Sequence, residues 1–371
     1  MAEESENIVL EEEEDNLIHV DVLFDESEIG RLVGHTTTPV QSLSYASIAG
    51  LLLTGSDDET VRLFNVATRT HLANVNSGLW VPTPVRAVAI SPDASHAFIA
   101  ARQNTIQMVR LSTSADQEQS LSAFVGHDHW VRSLSLNWER RMLASASNDF
   151  TVRLWDIDSG TEIRRYFCNA RAIAVSLNDR MVVVGVHDPV VRGFRLDDDM
   201  AVPLEFLGHT DWVTSVALGR SRLLTGSNDK TGRVFDPETQ DCICVLRGHQ
   251  LSVNAVALCP TETRGLTGSN DSSVVYWSFE NGGVPLLRIS SNFGSVRAIV
   301  YLRTTNEICF SGWDGSIRIF DLHVKDNMRI KALCYAGHER LGKSAEIRRI
   351  INRDLLSRIR SFLLKTPEDE V

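Results

Sequence analysis

Short segments in which apolar and polar positions alternate, separated by turns of Gly, Asn, Asp and Ser, run along most of the chain, and they repeat. Three stretches show the unit clearly: GHDHWVRSL…LASASNDFTVRLWD, GHTDWVTSV…LLTGSNDKTGRVFD and GHQLSVNAV…GLTGSNDSSVVYW. Each reads as a Gly-His step, a strand containing Val, a strand that runs into an Asn-Asp turn, and an apolar strand ending in an aromatic. The strand-ending aromatics Phe64, Trp155, Phe194, Phe235, Trp277 and Phe320 each lie six residues after an acid, namely Asp58, Asp149, Asp188, Asp229, Asp271 and Asp314. Val109 fills the missing position between Phe64 and Trp155, with Gln103 in its acid slot. Successive anchors are 39 to 46 residues apart. That period, built from short β segments, is the signature of four-stranded propeller blades. Seven anchors predict an all-β fold, a seven-bladed β-propeller of four-stranded antiparallel blades over residues 17–335.

Gly-His followed by Trp-Asp at this period resembles the WD-repeat family over roughly residues 28 to 335. The resemblance implies a buried hydrogen-bonded set in each blade, made of a His, a strand Ser or Thr, the turn Asp and the Trp. Two blades hold residues that match the whole set: His127, Ser145, Asp149 and Trp155, and His249, Thr267, Asp271 and Trp277. The chemistry suits a structural staple, since the Asp can accept from the His ring and from turn N–H groups while the Trp N–H needs a buried acceptor. Blades with Phe64 or Phe235 keep His and Asp but lose the indole donor. Blades two, four and seven lack the Gly-His, and blade two is expected to be the least regular. A His, Ser and Asp trio also invites a catalytic-triad reading, but its repetition and burial argue against a nucleophile. Metal binding by His35, His127, His209 and His249 is disfavoured as well, because each belongs to a different blade.

A propeller must hide its edge strands, and in the family a chain terminus commonly completes the last blade. Two segments compete: residues 28–33 (EIGRLV), which run into Gly34-His35, and residues 329–335 (RIKALCY), which run into Gly337-His338. The N-terminal segment is preferred because it leads directly into blade one. The other segment, with residues 17–24 (LIHVDVLF), is then expected as an extra layer on the rim.

The position after the first-strand Val resembles the family slot at the mouth of the central channel. Around the ring it reads Gln41, Arg86, Arg132, Arg171, Thr214, Asn254 and Arg297. Adjacent slots add Trp130, Trp212 and Trp313. Several arginines at a narrow mouth repel one another unless an anion compensates them, and arginine with Trp is the composition of binding hot spots. The guanidinium fork suits carboxylate or phosphate. The alternative reading is that these residues cap strand ends, but the charge pattern favours a top face that takes an acidic or phosphorylated segment of a partner protein.

Charge and composition refine this picture. The formal net charge is −11, yet residues 1–30 hold twelve acids and no Lys or Arg, which leaves 37 basic against 36 acidic residues in the rest. Residues 1–16 are expected to be an acidic disordered tail, either a solvating tail or a mask for the arginines. Residues 343–364 open at Ser344 and place Ile347, Ile351, Leu355, Ile359 and Phe362 at helical spacing among arginines, predicting a C-terminal amphipathic basic α-helix before a tail, 365–371. It could pack on the propeller, dock into a partner or a second copy, or rest on an anionic membrane. The six cysteines lack the spacing of a zinc site or disulfide framework, and Cys242 and Cys244 are expected to share one packed face. No stretch approaches the roughly 18 apolar residues of a membrane span. The chain is read as soluble, cytoplasmic and/or nuclear.

Phrases such as GHTDWVTSV and LLTGSNDKTGRVFD are similar to those of G-protein-β-like scaffolds such as the receptor for activated C kinase. The acidic extension, irregular blade two and added helix depart from that pattern. The reading is a non-catalytic protein-protein interaction scaffold with no cofactor and no metal, a subunit of a larger complex, whose C-terminal helix offers a second docking element. The alternatives are a substrate receptor of a cullin-type ubiquitin ligase, whose Arg mark after Trp155-Asp156 is absent, and an RNA-associated subunit of a ribonucleoprotein, which the nearly neutral body disfavours.

Overall fold

The computed structural model describes residues 21–23, 28–35, 38–75, 83–101, 104–111, 119–168, 170–197, 202–290 and 294–322. The acidic run 1–16, the segment 329–335, the helix expected over 343–364 and the tail 365–371 lie outside them.

Among the described residues the strands form seven sheets, each built on a four-stranded antiparallel blade, arranged as a β-propeller; one sheet carries a fifth strand. In blade three, for example, Val131–Asn137 is innermost, followed outward by Met142–Ser147, Thr151–Asp156 and Glu162–Phe167. Blade two has all four strands, although its outer strand, Gln119–Val125, carries an irregularity between Ser120 and Ser122. Below, the top is the end that carries the Asp turns between second and third strands and the Gly-His loops.

The alternation of the sequence explains how blades pack. Val40, Val85, Val131, Val213 and Val253 open innermost strands and are fully buried. Several press into a glycine of the preceding blade's second strand. A Cβ at Gly55 would lie 2.6 Å from Val85, and one at Gly226 would lie 2.7 Å from Val253, so only hydrogen fits between these blades. Burying each such valine contributes about 1.5–3 kcal/mol.

Innermost strands also have to satisfy the N–H groups that face the neighbouring blade, and serines of that neighbour do so. Ser42 and Ser44 accept from Val88 N–H and Ile90 N–H, each at 3.1 Å. Ser133 and Ser135 accept from Val175 N–H and Leu177 N–H at 3.2 and 3.0 Å. Ser176 serves Leu218 N–H at 3.0 Å, and Ser215 serves Val256 N–H at 3.1 Å. In blade two the equivalent positions are Ala87 and Ala89, and in blade six Ala255 and Ala257. The inner strands surround a central cavity of about 620 Å³.

The N-terminal segment closes the ring. Glu28–Leu32 pairs antiparallel with Ile317–Asp321 as the outer strand of blade seven, with Leu32 opposite Ile317. Leu32 is buried at 1% exposure in one apolar cluster with Leu52 and Phe64 of blade one and Ile317 and Ile319 of blade seven. The preceding residues Asp21–Leu23 add a fifth strand, parallel to Val284–Ser290 at the outer edge of blade six. The chain therefore lies along two blade rims before it enters blade one. In blade five, Cys242 is exposed and Cys244 buried, because the register shifts between Val234 and Phe235; the expected shared face does not form.

Leu32→Ala is expected to cost about 2–5 kcal/mol in urea denaturation, since it opens a cavity at the closing seam. Val33→Ala, at a residue 77% exposed, is expected to stay within about 0.5 kcal/mol.

Candidate functional site: the top face and the staples beneath it

Each Asp turn is fixed by a saturated carboxylate. In blade three, Asp149 Oδ1 accepts from the Thr151 N–H at 2.9 Å and the Thr151 hydroxyl at 2.6 Å. Its Oδ2 accepts from His127 Nδ1 at 2.7 Å and the Asp128 N–H at 3.1 Å. His127 Nε2 then lies 2.7 Å from Ser145 Oγ, which accepts from the Trp155 indole N–H at 2.9 Å. One proton arrangement satisfies every group: Trp155 donates to Ser145, Ser145 to His127 Nε2, and His127 Nδ1 to Asp149. Blade six repeats it, with His249 at 3.0 Å from Asp271, and Thr267 between His249 Nε2 and the Trp277 indole, each at 2.7 Å. His35 with Asp58 and Thr54, and His209 with Asp229 and Thr225, form the same set without the indole. Among the described residues no group of His, Cys, Asp or Glu is arranged to hold a metal ion.

A further signal in the sequence escapes the motif: an arginine four residues after the turn Asp. It recurs as Asp58/Arg62, Asp149/Arg153, Asp188/Arg192, Asp229/Arg233 and Asp314/Arg318. Where a His already holds the Asp, the guanidinium stands back, at 3.9 Å for Arg62 and 3.8 Å for Arg153. Blades four and seven have no His, and there Arg192 and Arg318 reach the Asp at 3.2 and 3.1 Å. The arginine thus takes the place of the imidazole as the donor to the turn. It also accounts for the glycine before the His, since a Cβ at Gly126 would collide with Arg153 Nη1 and one at Gly208 would lie 2.5 Å from Arg233 Nη1. Arg153 is almost fully buried and is held from below by Glu162 at 2.6 Å.

Above these staples the predicted partner-binding residues occupy the top face, with one change of register. Gln41, Arg86, Arg132, Thr214, Asn254 and Arg297 line the central cavity, and in blade four the lining residue is Ile173. Ala172 pairs with Val186 as Val131 pairs with Ser147, so Ala172 holds the Val position and Arg171 precedes it. The Arg171 carbonyl accepts from His187 N–H just as the Trp130 and Trp212 carbonyls accept from Asn148 and Asn228 N–H. Arg171 is therefore an exposed neighbour of the tryptophan positions and not a channel residue. No Val marks the slot in blade four, which is why the sequence alone misplaces it. Asn254 bonds Asn270, Ser295 and the Val296 carbonyl, so part of the rim is occupied in holding strand ends together.

The aromatics stand out of this rim, with Trp130, Trp212 and Trp313 at 38, 46 and 51% exposure. The His187 ring stacks on Trp212 at 4.3 Å and 11°. The Arg297 guanidinium lies 4.3 Å over the Trp313 ring, and burial pulls its pKa down while Asp57 opposes that shift. Arg86 Nη1 lies 3.4 Å from Asp57 Oδ1.

The repeated staple, the seven blades and the period together define a β-propeller that carries WD repeats. The sequence model described as WD domain, G-beta repeat matches residues 26–65, 118–156, 202–236 and 240–278. The segments without a match hold blades two, four and seven, which lack the Gly-His. The chain is similar to autophagy-related protein 16 of Arabidopsis thaliana, 27% identical over 66% of this chain and 48% of that protein. It is similar to the guanine nucleotide-binding protein subunit beta of Zea mays, 25% identical over 78% of this chain and 82% of that protein. A third relative is the U3 small nucleolar RNA-associated protein 15 homolog of Xenopus laevis, 27% identical over 68% of this chain and 47% of that protein. The chain spans less than half the length of the plant autophagy protein and of the nucleolar relative. Among the described residues no helix is long and apolar enough to cross a membrane.

Two outcomes follow from the staples. Gly126→Ala is expected to displace the buried Arg153 and cost about 1–3 kcal/mol by urea denaturation. Burial alone would raise the pKa of Asp149, Asp229 and Asp271, but hydrogen bonds from His127, His209 and His249, and from the turn hydroxyls, hold all three well below the usual carboxylate range. A carboxylate depressed in the folded state stabilises above its unfolded pKa, about 3.9, and that stability is lost as pH falls below it. Urea midpoints measured from about pH 5 to pH 3 should therefore drop, and the drop should be shallower in Asp229→Asn.

Proposed function

We propose that this WD-repeat propeller is a non-catalytic protein-protein interaction scaffold whose top face binds an acidic or phosphorylated segment of a partner, as a subunit of a larger complex in the cytoplasm and/or nucleus. The observation that carries the reading is the set Arg86, Arg132 and Arg297 at the channel mouth, with Arg171 exposed beside it and Trp130, Trp212 and Trp313 standing out of the rim. Guanidinium forks supply charge-assisted bonds to carboxylate or phosphate, and exposed Trp supplies anchoring area. The buried His, Ser or Thr and Asp sets support a non-catalytic role, since their protons are committed to neighbours within the fold. The segment 343–364, outside the described residues, is proposed as a second docking element.

An RNA-associated role within a ribonucleoprotein is the second reading, favoured by the likeness to a small nucleolar RNA-associated protein. Against it stands a body of 37 basic and 36 acidic residues beyond the first thirty, a weak footprint for phosphate backbones.

The test is affinity purification of wild type beside Arg132→Glu combined with Arg297→Glu. A defined subset of partners should disappear from the variant; identical partner sets would remove the top-face reading. RNA that is retained at low salt and lost steeply as salt rises would favour the second reading instead.

A further inference from the structure

The outer edge of blade six differs from the other rims. It is formed by Val284–Ser290, seven residues long, whose pairing with Ser273–Ser278 is regular from Leu287 to Ser290 and shifts between Leu287 and Pro285. Leu287 and Ile289 are buried. A long, regular, apolar edge is a template for a further strand unless something blunts it. Several other outer strands are blunted: Leu204–Phe206 has three residues, Gln119–Val125 is interrupted between Ser120 and Ser122, and Glu162–Phe167 carries Arg164 and Arg165. On blade six the edge has taken a strand instead. Asp21–Leu23 lies parallel to it, with Asp21 set against Arg288, Val22 against Ile289 and Leu23 against Ser290.

That strand is lightly held. It covers three of the seven residues, and among the described residues nothing pairs with the outer side of Val284–Leu287. Parallel ladders are also slightly less stable per residue than antiparallel ones. Arg288 donates to the Ser273 hydroxyl at 3.0 Å and to the Gly248 carbonyl at 2.8 Å, both neutral, so an acid at the facing register position adds a charge pair. Ring closure does not need this strand, because Glu28–Leu32 completes blade seven through its own ladder and the buried Leu32.

We propose that the outer edge of blade six is a docking site for an extended, largely apolar segment of a partner protein with an acid at the register of Arg288, and that the chain's own Asp21–Leu23 occupies the site until such a segment displaces it. The site is separate from the top face. Main-chain bonds supply its affinity, and the position facing Arg288 supplies selectivity. The tethered strand competes at an effective concentration on the order of mM. A partner strand that pairs along Leu286 and Leu287 as well gains ladder bonds that Asp21–Leu23 does not make. Until then, the chain's own strand keeps the edge from pairing with other copies.

The experiment uses the full chain and, as the probe, a fluorescein-labelled peptide with the sequence of residues 14–25, EDNLIHVDVLFD. Of two consecutive N–H groups in a strand one faces the neighbouring strand, so Asp21→Pro with Val22→Pro removes that donor and frees the edge. By anisotropy this variant should bind the peptide at least about tenfold tighter than wild type does. Its edge-facing amides over Arg288–Ser290 should exchange hydrogen at least about tenfold faster, and slow again when peptide is added. Arg288→Glu in the same background should weaken binding about threefold, and a peptide carrying Asp21→Lys should recover it. Arg132→Glu with Arg297→Glu should change nothing.

Equal peptide affinity and equal exchange in wild type and the proline variant would overturn occupation of the edge by Asp21–Leu23. A proline variant that binds no peptide would overturn the docking site. Unchanged affinity in Arg288→Glu, or loss that the lysine peptide does not recover, would overturn the register. Loss of binding in Arg132→Glu with Arg297→Glu would place the peptide on the top face instead. Dimerisation of wild type in sedimentation that the two prolines abolish would assign the edge to a second copy of the chain and overturn the partner assignment.

Discussion

In the blades that carry the Gly-His, the structure depends on a turn fixed by a buried anion. Between the second and third strands the chain must reverse within a few residues, and Asp149 fixes that reversal by accepting from a backbone N–H and a hydroxyl at one oxygen and from a ring and a second N–H at the other. A carboxylate removed from water is costly unless its lone pairs are filled. Here they are filled by groups that belong to the loop and strands around it, so the turn, the preceding loop and the second strand become one unit. In blades four and seven an arginine from the third strand takes over from the imidazole. The constraint is therefore the donor delivered to the turn, and the His is one means of meeting it.

Much of this was legible in the chain. The offset of six residues from turn acid to strand-ending aromatic fixed blade count and order, because side-chain chemistry at both ends of the third strand is tied to geometry. The full sets His127 to Trp155 and His249 to Trp277 could be read for the same reason. Other features depended on register. Arg171 was one position from its apparent place because Ala172 carries no Val signal, and a one-residue change moves a side chain to the other face of a strand. The differing environments of Arg86 and Arg171 could not be read at all, since the Asp57 that distinguishes them comes from another blade. The second role of the Gly in Gly-His was hidden similarly, behind an arginine 27 residues away in the case of Gly126 and Arg153.

Scaffolding and staple chemistry occupy different depths of the same residues' neighbourhood. Beneath the rim the staple His, Asp and hydroxyl groups are engaged by their neighbours, while at the rim Asn254 and Thr214 tie strand ends together and Asp57 holds Gln41 and Arg86. A surface held this way can vary its side chains with little cost to folding. That separation is the physical basis for reading the arginines and tryptophans as recognition groups on a fixed frame.

The serine bonds between inner strands divide that frame. They link blade one to blade two, and blades three, four, five and six to one another, while Ala87 with Ala89 and Ala255 with Ala257 leave the seams after blades two and six without them. Blade seven, one of whose four strands is the N-terminal Glu28–Leu32, is joined to its neighbours by other bonds: Ser311 donates to the Val40 carbonyl of blade one, and Asn254 of blade six donates to Ser295 and to the Val296 carbonyl. Trp130, Arg171, His187 and Trp212 all belong to blades three to five, which these serine bonds join, whereas Arg86 stands on blade two and Arg297 on blade seven.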